Sequence, residues 1–222
     1  MCRRHVWGRA SLGRLMDKAA AALGRLRIAL PWSGVVAPAL TCTFFALLVA
    51  VCARIAVPLP FTPVPFTLQP LAVALAGLLL GSRLGSLALL EYVLIGFAGA
   101  PVFEGGTGGL LYPASTGTLG YLLAYPAAAW IIGRIAERSS GRFVALLLAG
   151  LAGLALVYTG GVAYLVVWLA LGKHAPAGSL FTTAVVGGVM PFALFDLAKI
   201  ALAALVARPR PTGRARGARP SL

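Results

Sequence analysis

The chain has 222 residues, of which 60% are hydrophobic and only 11% charged. Soluble domains carry roughly a quarter charged residues, so an ordinary water-soluble fold is excluded. Nineteen Lys and Arg against five Asp and Glu would suit a nucleic-acid binder, but few aromatics interleave the arginines to stack on bases.

The first thirty or so residues are polar and basic. Arg3, Arg4, Arg9, Arg14, Lys18, Arg25 and Arg27 all precede the first apolar run. Their expected partner is the anionic lipid of an inner leaflet, and no removable signal peptide is expected in so polar a start. Leu12, Leu15, Leu23, Leu26 and Ile28 lie among these arginines. An amphipathic surface helix and an unstructured segment fit this pattern equally.

Six apolar runs follow, near residues 36–57, 68–82, 84–99, 117–136, 143–171 and 180–207. A membrane-crossing helix needs about 20 apolar residues, so the second and third runs are short. Between them Gly81, Ser82, Arg83, Leu84 and Gly85 predict a tight turn rather than one fused helix. The fifth run is long enough to tilt. With six spans, both basic tails share one side with Arg83, Arg134, Arg138 and Arg142. The opposite breaks hold Glu104, Lys173 and His174, with Arg54 near the end of the first run. This asymmetry predicts both termini in the cytoplasm. The expected organisation is a basic segment over 1–34, an all-α, six-helix integral membrane domain over 35–207, and a basic cytoplasmic tail over 208–222. Arg208, Arg210, Arg214, Arg216 and Arg219 lie in that tail.

Cys2, Cys42 and Cys52 lack metal-ligand spacing, and the last two read as small core residues. No metal or cofactor site is expected, and no Gly-x-x-x-x-Gly-Lys-Ser/Thr loop is present to bind ATP. His5 in the basic tail and His174 in a loop have no His-Glu-x-x-His or Gly-x-Ser-x-Gly companion, which leaves an intramembrane enzyme a distant alternative.

Two loops stand out. Pro58, Pro60, Pro63 and Pro65 lie between the first two runs, where they forbid regular helix and favour a stiff extended segment closing on Gln69. The second loop carries Phe103, Glu104, Gly105, Gly106, Thr107, Gly108 and Gly109, whose glycines let backbone approach a ligand. Plain connections and cavity walls are both open to them on composition alone.

The apolar runs also contain charges. Asp196 and Lys199 lie three apart in the last run, on one helix face. Each costs about 2.5–3.5 kcal/mol at the centre of a membrane helix. They are either a structural ion pair or a polar ligand site. Glu91 in the third run is costly in the same way; a structural role, paired with a basic residue or protonated, is favoured over one facing the cavity and contacting ligand.

These residues carry a family resemblance. Pro63-Val-Pro-Phe-Thr-Leu-Gln69, Ala76-Gly-Leu-Leu-Leu-Gly81, Gly99-Ala-Pro-Val-Phe103 and the final Pro191-Phe192 with Asp196 and Lys199 resemble the BioY family over about residues 35–207. That family comprises the biotin-binding substrate subunits of energy-coupling-factor (ECF) transporters. The resemblance implies a six-helix S-component bundle in a bacterial or archaeal cell membrane. It would capture biotin from outside and work with a transmembrane coupling protein and two cytoplasmic ATPases. It implies a site of Asp196 and Lys199, with Gln69, Phe103, Gly106, Thr107, Gly108 and Tyr121 as further ligand residues. It also implies a small-residue stripe, Ala46 and Ala50, facing the coupling protein. Thr107 stands where some relatives carry asparagine, Leu122 where some carry arginine, and the turn from Tyr112 to Tyr121 is longer than usual. These departures keep a related subunit for another small vitamin in view.

Overall fold

The computed structural model describes residues 33–112, 116–139, 141–172 and 179–208. Chain contacts divide it into two units, 1–40 and 41–222. In the first unit the described residues are 33–40, the opening turns of helix α1. The account below concerns the second. The Cys2, Lys173 and His174 readings and most of both basic tails lie outside the described residues.

Among the described residues the architecture is all-helical apart from one pair of two-residue strands. Helix α1 spans Ser33–Arg54, α2 Gln69–Phe97, α3 Leu119–Glu137, α4 Phe143–Leu171, α5 Leu180–Gly188 and α6 Met190–Ala207. Strands β1 (Ala56–Val57) and β2 (Phe66–Thr67) pair antiparallel, so the proline-rich loop is a closed one. Among the described residues five stretches are long and apolar enough to cross a membrane, α5 and α6 counting together as Leu180–Ala207. Leu87, Leu94, Leu148, Leu202 and many like them are exposed, as a lipid-facing surface requires.

Helix α2 doubles back on itself. Gly81 adopts φ 79°, ψ −175°, a left-handed value that an L side chain disfavours. The arms 69–80 and 82–97 then run antiparallel, which brings Gln69 Nε2 within 2.9 Å of the Tyr92 hydroxyl, 23 residues away. A straight helix would hold those residues about 34 Å apart. A Cβ on Gly85 would lie 2.9 Å from the Ala76 carbonyl, so this glycine sets the closeness of the arms. The second arm starts at Ser82, whose backbone N–H and hydroxyl both donate to Glu137 Oε1 of α3, at 2.6 and 2.9 Å. A carboxylate at the first turn of a helix satisfies orphan N–H groups and suits the dipole. The two short apolar runs of the sequence are these two arms.

The break between α5 and α6 has a local cause. Pro191 has no N–H, so the Gly187 carbonyl loses its helical donor. It accepts the Thr62 hydroxyl of the proline loop instead, at 2.7 Å. The Phe192 N–H turns to the Val189 carbonyl, which leaves the Gly188 carbonyl for the Tyr121 hydroxyl at 2.9 Å. One proline thus ties the last span to both the proline loop and α3.

Helix α3 packs between α2 and α4. On α1, Cys42, Phe45, Ala46, Val49, Cys52 and Ala53 turn inward, while Phe44, Leu47 and Val51 face out. Glu91 accepts the Thr43 hydroxyl at 2.7 Å, a neutral partner rather than a basic one, and it is absent from the lining of the cleft described below. Cys42 and Cys52 are free and buried.

Candidate functional site

A cleft enclosing about 460 Å³ of atom-free space, its open mouth included, lies among α2, α3, α4, α6 and the two loops. The part of it that the centre of a water molecule can occupy is about 40 Å³. Its floor is built on α6, where three-residue spacing puts Asp196 and Lys199 on one inward face. They are only 3% and 7% exposed, and the ammonium lies 2.7 Å from Asp196 Oδ1. Lys199 also donates to the Thr67 carbonyl at 2.6 Å and sits 3.9 Å above the Phe66 ring. The Tyr158 hydroxyl of α4 donates to Asp196 Oδ2 at 2.7 Å. Both charges are therefore paired and hydrogen-bonded, the condition for surviving burial. An ammonium has three donors, and protein oxygens take two of them here. One donor remains for a ligand oxygen, and the Asp196 carboxylate keeps lone pairs for a ligand N–H.

The walls are apolar with polar points. Gln69 lines the cleft while its amide is held by Tyr92 and by the Thr67 hydroxyl, which donates to Oε1 at 3.2 Å. Tyr121 contributes its ring, since its hydroxyl is bound to Gly188. Leu122, Tyr125, Val157 and Phe192 complete an apolar lining suited to a ring or alkyl chain. Glu104 enters from the glycine-rich loop. It accepts the Thr118 hydroxyl at 2.8 Å and the Thr116 hydroxyl at 3.2 Å. Burial pushes its carboxyl above the ordinary carboxylate range, against the pull of its hydroxyl partners.

Of the sequence candidates, Asp196, Lys199, Gln69 and Tyr121 come together at the cleft. Four glycine-loop candidates do not line it. Phe103 is fully buried, with its ring against Tyr92, Phe97 and Tyr112. Thr107 is exposed and donates to the Glu104 carbonyl at 2.8 Å. Gly106, at φ 78°, lies against the Arg54 guanidinium, and Gly108 packs on the Ala100 carbonyl. These residues shape the loop, and Glu104 is the one that reaches the ligand space. Ala46 is 2% exposed and faces the bundle core, with Ala50 half-buried, so that pair does not form an outward stripe. Sequence reasoning missed Glu104, Thr118 and Tyr158 as cleft residues. Tyr158 had a usable signal: it follows Val157 in a wholly apolar helix, where a hydroxyl needs a partner.

The described residues contain no cluster of His, Cys, Asp or Glu able to hold a metal. Fold and site together define a multi-pass helical membrane protein with a largely apolar cleft floored by a buried ion pair. Its fold matches a crystal structure, at 2.1 Å, of the S-component for biotin from an ECF-type ABC transporter. The TM-score is 0.67 at 22% identity, covering 81% of this chain and 93% of that one.

A family model described as the BioY family matches residues 19–215, and the chain belongs to that family. It is 39% identical over 166 residues to the biotin transporter BioY of Thermotoga maritima, covering 73% of this chain and 89% of that protein. It is 37% identical to the probable biotin transporter BioY of Pyrococcus horikoshii, with the same coverage. Against the biotin transporter BioY of Rhizobium etli it is 37% identical over 76% of this chain and 89% of the relative.

Proposed function

We propose that this chain captures biotin and brings about its uptake as the substrate-specific subunit of an ECF-type transporter. The biotin transporters to which it is 37–39% identical support this reading. The observation that carries it is the buried Asp196–Lys199–Tyr158 network on the floor of an otherwise apolar cleft. A ureido ring offers two N–H donors and a carbonyl, and the valerate tail ends in a carboxylate. Asp196 accepts from an N–H, and the remaining Lys199 donor meets an oxygen. The chain is a binding and transport subunit, not an enzyme. A membrane coupling protein and two cytoplasmic ATPases supply the energy.

The membrane topology is six spans with both termini in the cytoplasm, counting the two arms of α2 as separate spans. The reversal at Gly81 and the placement of the basic breaks support that count. The basic tails then lie on the anionic leaflet of a bacterial or archaeal cell membrane. The coupling protein meets the outward face of α1, where Leu47 and Val51 flank the half-buried Ala50.

The test is equilibrium binding of labelled biotin to the detergent-purified protein beside Lys199→Ala. Tight binding lost in a folded variant supports the site. Tight binding unaffected by the substitution moves the site off α6, and a folded wild-type protein that ignores biotin ends the reading.

A further inference from the structure

The cleft holds three acidic or basic side chains, and two of them neutralise each other. Asp196 and Lys199 form their own pair. Glu104 is the third. Among the described residues no cation lies within ion-pair distance of it, and Lys199 forms its ion pair with Asp196. Arg54, at the end of α1, donates to the Pro101 carbonyl at 2.7 Å instead.

The hydroxyls around Glu104 have a fixed direction. Thr118 has one proton and gives it to Glu104 Oε1. The Tyr112 hydroxyl lies 2.7 Å from Thr118 and is also hydrogen-bonded with Glu104 itself. Thr116, 2.8 Å from Thr118 and 3.2 Å from Glu104, donates to one of them. Every hydroxyl proton points toward the carboxylate, so Glu104 is the acceptor at the end of a donor chain. A carboxylate has about four lone-pair sites, and such a chain does not fill them all.

We propose that Glu104 is a specificity-determining residue that accepts a ligand N–H within this cleft, so that the nitrogen-bearing ring faces Glu104 and the anionic tail is held away from it. The inference rests on the biotin reading and adds the orientation which that reading leaves open. A tail carboxylate beside Glu104 would set two like charges together in a dry site, whereas a ureido N–H gives a charge-assisted bond. A cyclic guanidinium in place of the urea suits the same carboxylate better still, because it adds an opposite charge.

Three probes decide it on the full-length protein: biotin, its cyclic-guanidine analogue 2-iminobiotin, which is cationic at neutral pH, and its tail amide. Glu104→Gln keeps the shape and one acceptor oxygen. The wild type is expected to bind the guanidine analogue at least as tightly as biotin. Glu104→Gln should lower that analogue-to-biotin preference roughly tenfold, the effect of one charge-assisted contact. The wild-type preference is readable even where the variant folds poorly. An unchanged preference in a folded variant overturns the proposal. So does tighter biotin binding in Glu104→Gln without tighter binding of the amide, since Glu104 would then face the tail. A wild-type protein that binds none of the three removes the biotin reading itself, a result distinct from both.

Discussion

Removing the ammonium of Lys199 while leaving Asp196 in place is the most informative perturbation of the apo protein. In Lys199→Met the side chain stays unbranched and is one atom shorter, and Asp196, 3% exposed, retains only the Tyr158 hydroxyl. The Thr67 carbonyl loses the 2.6 Å donor that ties β2 to α6, and Phe66 loses its cation. Breaking a buried pair from one side costs about 3–5 kcal/mol, because the remaining charge stays buried and uncompensated. At this chain length 1 kcal/mol is about 2–4 °C of unfolding midpoint, so the expected fall is about 6–20 °C. Asp196→Asn with Lys199→Met removes both charges. It should recover most of the loss, leaving about 1–2 kcal/mol. Thermal unfolding in detergent, followed by tryptophan fluorescence without ligand, measures Lys199→Met, Asp196→Asn and the double variant. Biotin binding on the same samples should be lost in every one, the recovered double variant included. A double variant whose fall equals the sum of the singles would refute the coupling. A double variant that binds biotin would refute the pair's role at the site.

Three further outcomes follow from the geometry. Gly81→Ala places a Cβ 2.6 Å from Glu137 Oε1 at a left-handed φ, and should cost about 1–2 kcal/mol, read as a fall of several degrees in midpoint. Ala46→Trp forces a large ring into a 2%-exposed position, so it should abolish folding and biotin binding together; Leu47→Trp, on the outward face, should be tolerated, as size-exclusion profiles and binding would show. Glu104→Gln should alter how stability depends on pH. The folded state holds the Glu104 proton more tightly than the unfolded chain does, so its contribution is full below the ordinary value of 4.5 and declines as pH rises through the raised value. Glutamine does not titrate, so its midpoint advantage over wild type should be larger at pH 7.5 than at pH 4.5; an equal difference at both would contradict the assignment.

Legibility in the sequence followed the physics of each signal. Two charges three apart in an apolar helix are conspicuous because burial is costly, and Asp196 and Lys199 are found at the cleft. The glycine pair around Arg83 marked the reversal that occurs at Gly81. The side from which Ala46 is covered was not readable. A membrane helix is apolar toward lipid and toward its core alike, so periodicity does not separate the faces of α1. The glycine-rich loop was opaque for a different reason. Irregular backbone has no period, and nothing in the order Phe103, Glu104, Gly105, Gly106, Thr107 tells which side chain turns to the cleft. Its glycines drew attention to backbone, whereas the carboxylate between them is what lines the cavity.

The same contrast explains why the cleft is walled by segments so far apart in sequence. Neither the proline loop nor the broken last span can satisfy its own backbone, and in a membrane water is not there to do it. Pro191 leaves the Gly187 and Gly188 carbonyls without helical donors, and Thr62 and Tyr121 supply them from 125 and 67 residues away. Lys199 does the same for the Thr67 carbonyl across 132 residues. Each irregularity is thus repaired by a side chain from another segment, and two of the three repairs, Tyr121 to Gly188 and Lys199 to Thr67, lie in the cleft lining. The polar groups that hold the cleft together are those that line it, so substitutions at the site are expected to move stability and binding together unless, as in the Asp196 and Lys199 double variant, charge is removed in balance.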